Sequence, residues 1–213
     1  MKKRILFFVV VLLSTSIFTS CKSDEPSIDI NSPKKIGVEI NGVVWSPYNV
    51  GATGKFVSNP EEYGGLYQWN LKDTSNFLLN DTYFPSGLSS ATSWLFVNDP
   101  SPKDWRIPTF DEMQTLLDSE KVENEWTTEN GINGRRFIDK TTGNSIFLPI
   151  GGYRSQTGEM YAPVGGNYGY YWSSIAEDNA LNANAFCLAI YINIAEWGIT
   201  SKASGLSVRP IAK

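Results

Sequence analysis

The sequence contains no histidine. A Cys–His pair or a Ser–His–Asp triad is therefore impossible, because each needs an imidazole to take the proton of the nucleophile. Zinc sites built on imidazole are excluded for the same reason, and two cysteines are too few for a site made of thiolates alone. Charge is also scarce. Only 19% of the 213 residues are Asp, Glu, Lys or Arg, and 18 basic residues against 22 acidic ones leave a net charge of −4. Beyond the N-terminal Lys2, Lys3 and Arg4, an acidic chain without a basic cluster argues against nucleic acid, whose phosphates need clustered Lys and Arg. It argues equally against electrostatic docking on anionic lipid. Apolar residues are not scarce. At 41% of the chain, with 13% aromatic, they exceed what a disordered polymer carries and point to a globular domain with an aromatic core.

The first 21 residues read as an address. Lys2, Lys3 and Arg4 precede the unbroken apolar run Ile5–Leu13, and small polar residues then lead to Cys21. The apolar stretch is too short for a membrane span and suits a secretory signal over residues 1–20. The segment Phe18-Thr19-Ser20-Cys21 resembles a bacterial lipobox, with Phe18 where Leu is usual, and the resemblance makes Cys21 the lipidated first residue of the mature protein. A plain signal cut near Ser20 is the alternative. Removing residues 1–20 takes away three basic residues, so 15 basic face 22 acidic and the balance becomes −7. Residues 22–35 are polar, contain proline and have no period, which describes a flexible tether. Lys22-Ser23-Asp24-Glu25 resembles the surface-export signal of Bacteroidota-type lipoproteins; an ordinary solvated linker is the other reading. The expected location is the outer membrane, facing outward, held by acyl chains at Cys21.

With Cys21 acylated, Cys187 has no disulfide partner. It stands in the apolar run Ala185–Tyr191 and reads as a small buried residue of a strand.

Residues 36–213 have one texture and the length of one domain. Asn41-Gly42 between the apolar runs Ile36–Ile40 and Val43–Trp45 signals a hairpin, since both turn positions must tolerate positive φ. Phe137–Asp139, Ser145–Leu148, Phe186–Ile194 and Ser207–Ile211 are further strand candidates, with Lys140–Asn144 as a hairpin loop. Thr109 and Glu112 form a capping box that starts a helix expected to reach Ser119, with Phe110, Met113, Leu116 and Leu117 on one face. A second helix is expected within Pro60–Gln68, against the grain of Gly64-Gly65. Few helices, many short strands and long loops give an α+β class.

Several blocks resemble the Fibrobacter succinogenes major paralogous domain, a family of secreted and surface bacterial domains. They are Val44-Trp45 with Asn49-Val50-Gly51, Tyr63–Trp69, Asp99–Thr109 with Glu112, Phe147–Arg154, Tyr171–Ser174 and Gly205–Arg209. The resemblance spans about residues 40–211 and implies a C-type lectin-like fold: short twisted antiparallel strands with one or two helices and long loops. Ser101 stands where many relatives carry Cys, and no Cys lies near Pro210, so a disulfide there cannot be inherited. Asp104 replaces the usual Gly before Trp105-Arg106. Trp45, Trp69, Trp105 and Trp172 are expected in the core, and Arg106, Arg154 and Arg209 as structural forks.

The block Trp105–Thr109 with Glu112 also resembles the formylglycine-generating enzyme family, whose chemistry uses two cysteines in one site; Cys187 is alone. The tripeptides with which C-type lectins hold calcium are missing, and Asn80-Asp81 and Asn98-Asp99 read as Asx turns. Glu123, Glu125 and Glu129 could supply paired carboxylates for glycoside hydrolysis only in a cleft, and read as a solvated polar loop. These readings leave no catalytic residue, metal or cofactor. Tyr161, Tyr168 and Tyr170, interleaved with Gly and Asn, suit stacking on a glycan or packing on a surface protein; the alternative is that they cap the domain's own core. Trp197 in Ala195–Gly198 reads as a hairpin tip, exposed and available for binding, or as a buried turn. The expected protein is a non-catalytic surface lipoprotein that binds glycan or protein without metal, or a structural or adhesin-type component that assembles with other surface proteins.

Overall fold

The computed structural model describes residues 37–74, 91–161, 166–178 and 183–213. The signal segment, Cys21, the tether and Asn80-Asp81 lie outside the described residues.

The first hairpin joins β1 (Val38–Ile40) to β2 (Val43–Trp45), and its turn residues Asn41 and Gly42 have φ of 46° and 80°. Short strands follow at β3 (Tyr67–Gln68) and β4 (Trp105–Arg106). The helix α1 (Phe110–Gln114) opens on the expected capping box. It lasts only five residues before a 3-10 turn, Thr115–Leu117, ends it. The stop is local: Asp118 is extended, its carbonyl accepts Lys121 N and Val122 N, and its carboxylate accepts Glu120 N. Met113 and Leu116 are buried as the pattern predicts.

Three strands of five to eight residues then form one sheet: β5 (Val122–Glu129), β6 (Ile132–Asp139) and β7 (Ser145–Pro149). The β5–β6 turn is a second Asn-Gly pair, Asn130 and Gly131, with φ of 47° and 82°. The hairpin β8 (Tyr153–Arg154) and β9 (Met160–Tyr161) comes next. A second long meander consists of β10 (Tyr168–Ala176), β11 (Asn184–Tyr191) and β12 (Ala195–Ser201). The chain ends with β13 (Gly205–Leu206) and β14 (Ile211–Ala212). Two mixed-order sheets, β1-β2-β14-β4 and β3-β13-β8-β9, tie the C-terminal strands to the N-terminal ones.

The expected α+β, C-type lectin-like architecture is thereby overturned. The described chain is mostly β, in four small antiparallel sheets, with α1 the one α-helix among the described residues. The second expected helix fails because Gly64 adopts φ +76° with its backbone against Val50, so a turn at 60–61 passes into irregular chain over 62–66 before β3. The candidate strand Ser207–Ile211 also fails as one piece. Trp172 N bonds to Ser207 O, Val50 N to Val208 O and Ser46 N to Pro210 O, so this stretch crosses between sheets. Glu123, Glu125 and Glu129 lie on β5 rather than in a loop, with Glu125 and Glu129 both paired to Arg136.

Two apolar clusters lie on opposite faces of the β10–β11–β12 sheet. Tyr171, Leu188 and Ile190 point into one, with Ile40, Met113, Leu116 and Phe137. Trp172, Ala185 and Cys187 point into the other, with Val50, Tyr67, Trp69 and Val208. Strand alternation alone produces this division. Trp45, Trp69, Trp105 and Trp172 are all buried, each removing about 150–250 Å² from water. Arg209 is fully enclosed and donates to Asn49 Oδ1, Ser46 O and Phe147 O, the fork expected of it. Arg106 forks onto both carboxylate oxygens of Glu112, which also accepts Thr109 N in the capping box.

Candidate functional site

The register of the β10–β11–β12 sheet lines up three rows on one face. Tyr168 lies opposite Tyr191, Tyr170 opposite Ala189 and Trp172 opposite Cys187. Ala189 in turn faces Glu196, and Cys187 faces Gly198. The row Tyr170–Ala189–Glu196 therefore has a methyl group between a ring and a carboxylate. The adjoining floor, Cys187 and Gly198, is also small: a Cβ on Gly198 would sit 3.3 Å from Cys187 Sγ. Small residues beside large ones leave a notch, and a cleft of about 200 Å³ opens there.

Tyr153, Tyr170 and Tyr191 wall this notch, and two further tyrosines pack on them. The β8–β9 hairpin pairs Tyr153 with Tyr161, whose rings stack at 5.1 Å and 12°. Tyr153 meets Tyr170 edge to face at 5.4 Å and 83°, and Tyr170 meets Tyr191 at 6.1 Å and 88°. Tyr168 tilts against both Tyr153 and Tyr170. The Tyr170 and Tyr191 hydroxyls lie 3.2 Å apart. Burial, reinforced by that hydrogen bond, pushes the Tyr170 phenol well above its ordinary pKa. Tyr161 is raised as well, chiefly because its hydroxyl donates to the Glu159 carboxylate at 2.7 Å. Tyr161 and Tyr170 thus stay neutral phenols, and the cluster presents π faces and hydroxyls.

The expected site residues divide. Tyr161, Tyr168 and Tyr170 come together, with Tyr161 38% exposed. Trp197 makes no ring contact with them, although it too borders the notch. It is neither a hairpin tip nor a buried turn but a mid-strand residue of β12, 52% exposed. Opposite Leu188, its ring lies on the other face of the sheet, edge-on to Phe110 and Phe186. Cys21 lies outside the described residues. Sequence reasoning missed Tyr153, Tyr191 and Glu196. Tyr191 closes an apolar run, Tyr153 follows Gly151-Gly152, and Glu196 adjoins Trp197; a usable signal would have been the period-two pattern of β12.

Cys187 is 3% exposed, and burial pushes its thiol up to about 12, so it forms floor and offers no nucleophile. No three Cys, Asp or Glu side chains converge to hold a metal among the described residues. A second, more open cleft of about 470 Å³ lies by Trp94, Phe96, Asp99, Arg106 and Lys213. Two of its charged groups are committed to the fold. Asp99 accepts Ser101 N, as an Asx turn does, and Ile107 N, while Arg106 holds Glu112.

The family model described as Fibrobacter succinogenes major domain matches residues 48–211. The chain belongs to this family. The match runs from just after β2 into β14 and contains every residue of the tyrosine cluster. No curated protein and no solved structure matches the chain.

Proposed function

We propose that this member of the family is a non-catalytic lipoprotein that binds glycan, without metal, through its tyrosine face outside the cell. The observation that carries the reading is an open notch lined by Tyr153, Tyr170 and Tyr191, with Tyr161 and Tyr168 packed on those rings. Partly polar rings that are only half-buried offer flat apolar area and hydroxyl hydrogen bonds at once, which is the chemistry of sugar recognition and of adaptable interfaces. The lack of histidine and the enclosed Cys187 thiol support a binding role over catalysis. The basic n-region, the apolar run and Cys21 support an acyl anchor on the outer membrane, exposed at the surface.

A glycan array read with the full-length protein and with Tyr153→Ala tests the site. Binding that survives EDTA and is lost in the variant is expected. Binding abolished by EDTA, or unchanged in Tyr153→Ala, overturns the reading. Palmitate labelling of wild type against Cys21→Ala tests the anchor, and equal labelling removes it.

One observation favours a second reading, a component that assembles with other surface proteins. Strand β12 is an edge, and it exposes Trp197 and Ile199 beside Ile192 and Ile194. Such an edge is a ready template for another chain. Silence on the array, with defined surface proteins co-purifying only when Trp197 is intact, would favour it.

A further inference from the structure

The notch on the tyrosine face has a shape and a charge that narrow what it accepts. We propose that it takes an ammonium group, seated between Tyr153, Tyr170 and Tyr191 and balanced by the Glu196 carboxylate. The inference deepens the reading above and rests on it for the location of the binding face.

Ring geometry comes first. A sugar stacked flat needs one broad ring face turned to solvent. Here Tyr170 stands nearly perpendicular to both Tyr153 and Tyr191, at 83° and 88°, so adjacent walls meet at corners. Corners of this kind surround a compact group and give a cation π density from more than one side. Size agrees. At about 200 Å³ the notch is smaller than the ~300–1,000 Å³ of sites that enclose a whole drug-sized ligand, so it seats one group and leaves the remainder outside.

Charge decides between a cation and a neutral group. Glu196 shares the sheet face with Tyr170 across Ala189 and lines the notch, while no Lys or Arg lines it. The remaining lining residues are uncharged: Thr200 and an apolar set that includes Cys187, Trp197, Ile199 and Leu206. An anionic sugar would meet a carboxylate without a counter-charge. An ammonium group, whether trimethylated or a primary amine on a sugar, meets ring faces and an opposite charge.

Isothermal titration calorimetry on the full-length protein in detergent tests this, with choline, tetramethylammonium and glucosamine as probes. Their uncharged counterparts are 3,3-dimethylbutanol for choline and N-acetylglucosamine for the amino sugar. Binding of at least one cation about tenfold tighter than its uncharged counterpart is expected, and which cation wins separates trimethylated from primary amines. Glu196→Gln, at an exposed strand position that tolerates the change, should weaken that binding several-fold. Tyr170→Ala should abolish it, with an unchanged circular dichroism spectrum and cooperative urea unfolding confirming the fold. Cation and counterpart bound alike, no cation bound at all, or Glu196→Gln bound as wild type overturns the inference. Neutral glycans captured on the array and lost in Tyr153→Ala, together with no cation binding, would sink the ammonium while leaving the binding face in place.

Discussion

Arg209 Nε donates to Asn49 Oδ1 across 2.7 Å, although 160 residues separate the two in the chain. Both side chains are fully buried. Asn49 spends its amide on Tyr63 O at 2.9 Å, and the rest of the guanidinium holds Ser46 O and Phe147 O. The pair therefore joins the segment after β2, the loop before β3, the middle of β7 and the crossing before β14. Arg209→Met should cost about 3–5 kcal/mol in urea unfolding, because three enclosed acceptors lose their donors. Asn49→Ala should cost about 2–4 kcal/mol, leaving part of a buried guanidinium without its acceptor. A loss below 1 kcal/mol in both would mean the node is not structural.

Gly64 and Gly42 both have positive φ, +76° and +80°, but only one is crowded. A Cβ on Gly64 would lie 2.3 Å from Val50 O, while one on Gly42 meets nothing within 4 Å. Gly42→Ala should cost about 1 kcal/mol, the left-handed penalty alone. Gly64→Ala should cost at least ~2 kcal/mol more, since the backbone must also move. Equal losses in thermal unfolding would contradict the close approach.

Cys187 should be silent to thiol reagents in the native protein. Its thiol is enclosed beneath Tyr170 and Gly198 and held near 12 by burial. With Ellman's reagent at pH 8, native Cys21→Ala protein should show no reaction while the same protein unfolded in urea reacts promptly. Rapid native labelling would show that the floor of the notch opens.

Lys202 supplies a pH dependence of unusual sign. It is 1% exposed, its Nζ donates to Ala91 O at 2.9 Å and lies 4.5 Å from the Trp69 ring centroid, and burial lowers its pKa to about 8. The unfolded chain keeps its proton up to about 10.5. Between those values the unfolded state binds more protons, so stability rises with pH through this window. Below pH 8 both states are charged and the burial cost is constant. Lys202→Met, in which the charge is gone, should be more stable than wild type at pH 7 by a margin that shrinks between pH 8 and 10. A margin independent of pH, measured by urea unfolding, would remove the assignment.

Local chemistry was readable before any tertiary contact was known. Asn41-Gly42 declared its hairpin, because positive φ at both turn positions is a property of those two residues. The same rule, applied to Asn130-Gly131, would have disclosed β5 and kept Glu123, Glu125 and Glu129 out of a loop. Thr109 and Glu112 declared the start of α1, and Asp118 its end was there to be read. Family membership followed from short blocks in order, and the buried tryptophans from their apolar company.

Side and neighbour were different matters. Trp197 and Glu196 are adjacent in sequence, yet the Trp197 ring packs by Phe110 and Phe186 while Glu196 stands across Ala189 from Tyr170. Which of them would share a face with Tyr170 depended on the register of β12 against β11 and of β11 against β10. That register is set by what the whole sheet buries on each side, a sum over both clusters that no window of sequence contains. Turns, caps and composition belong to the chain itself; the class of the fold, the notch and its walls were decided by packing between strands far apart along it.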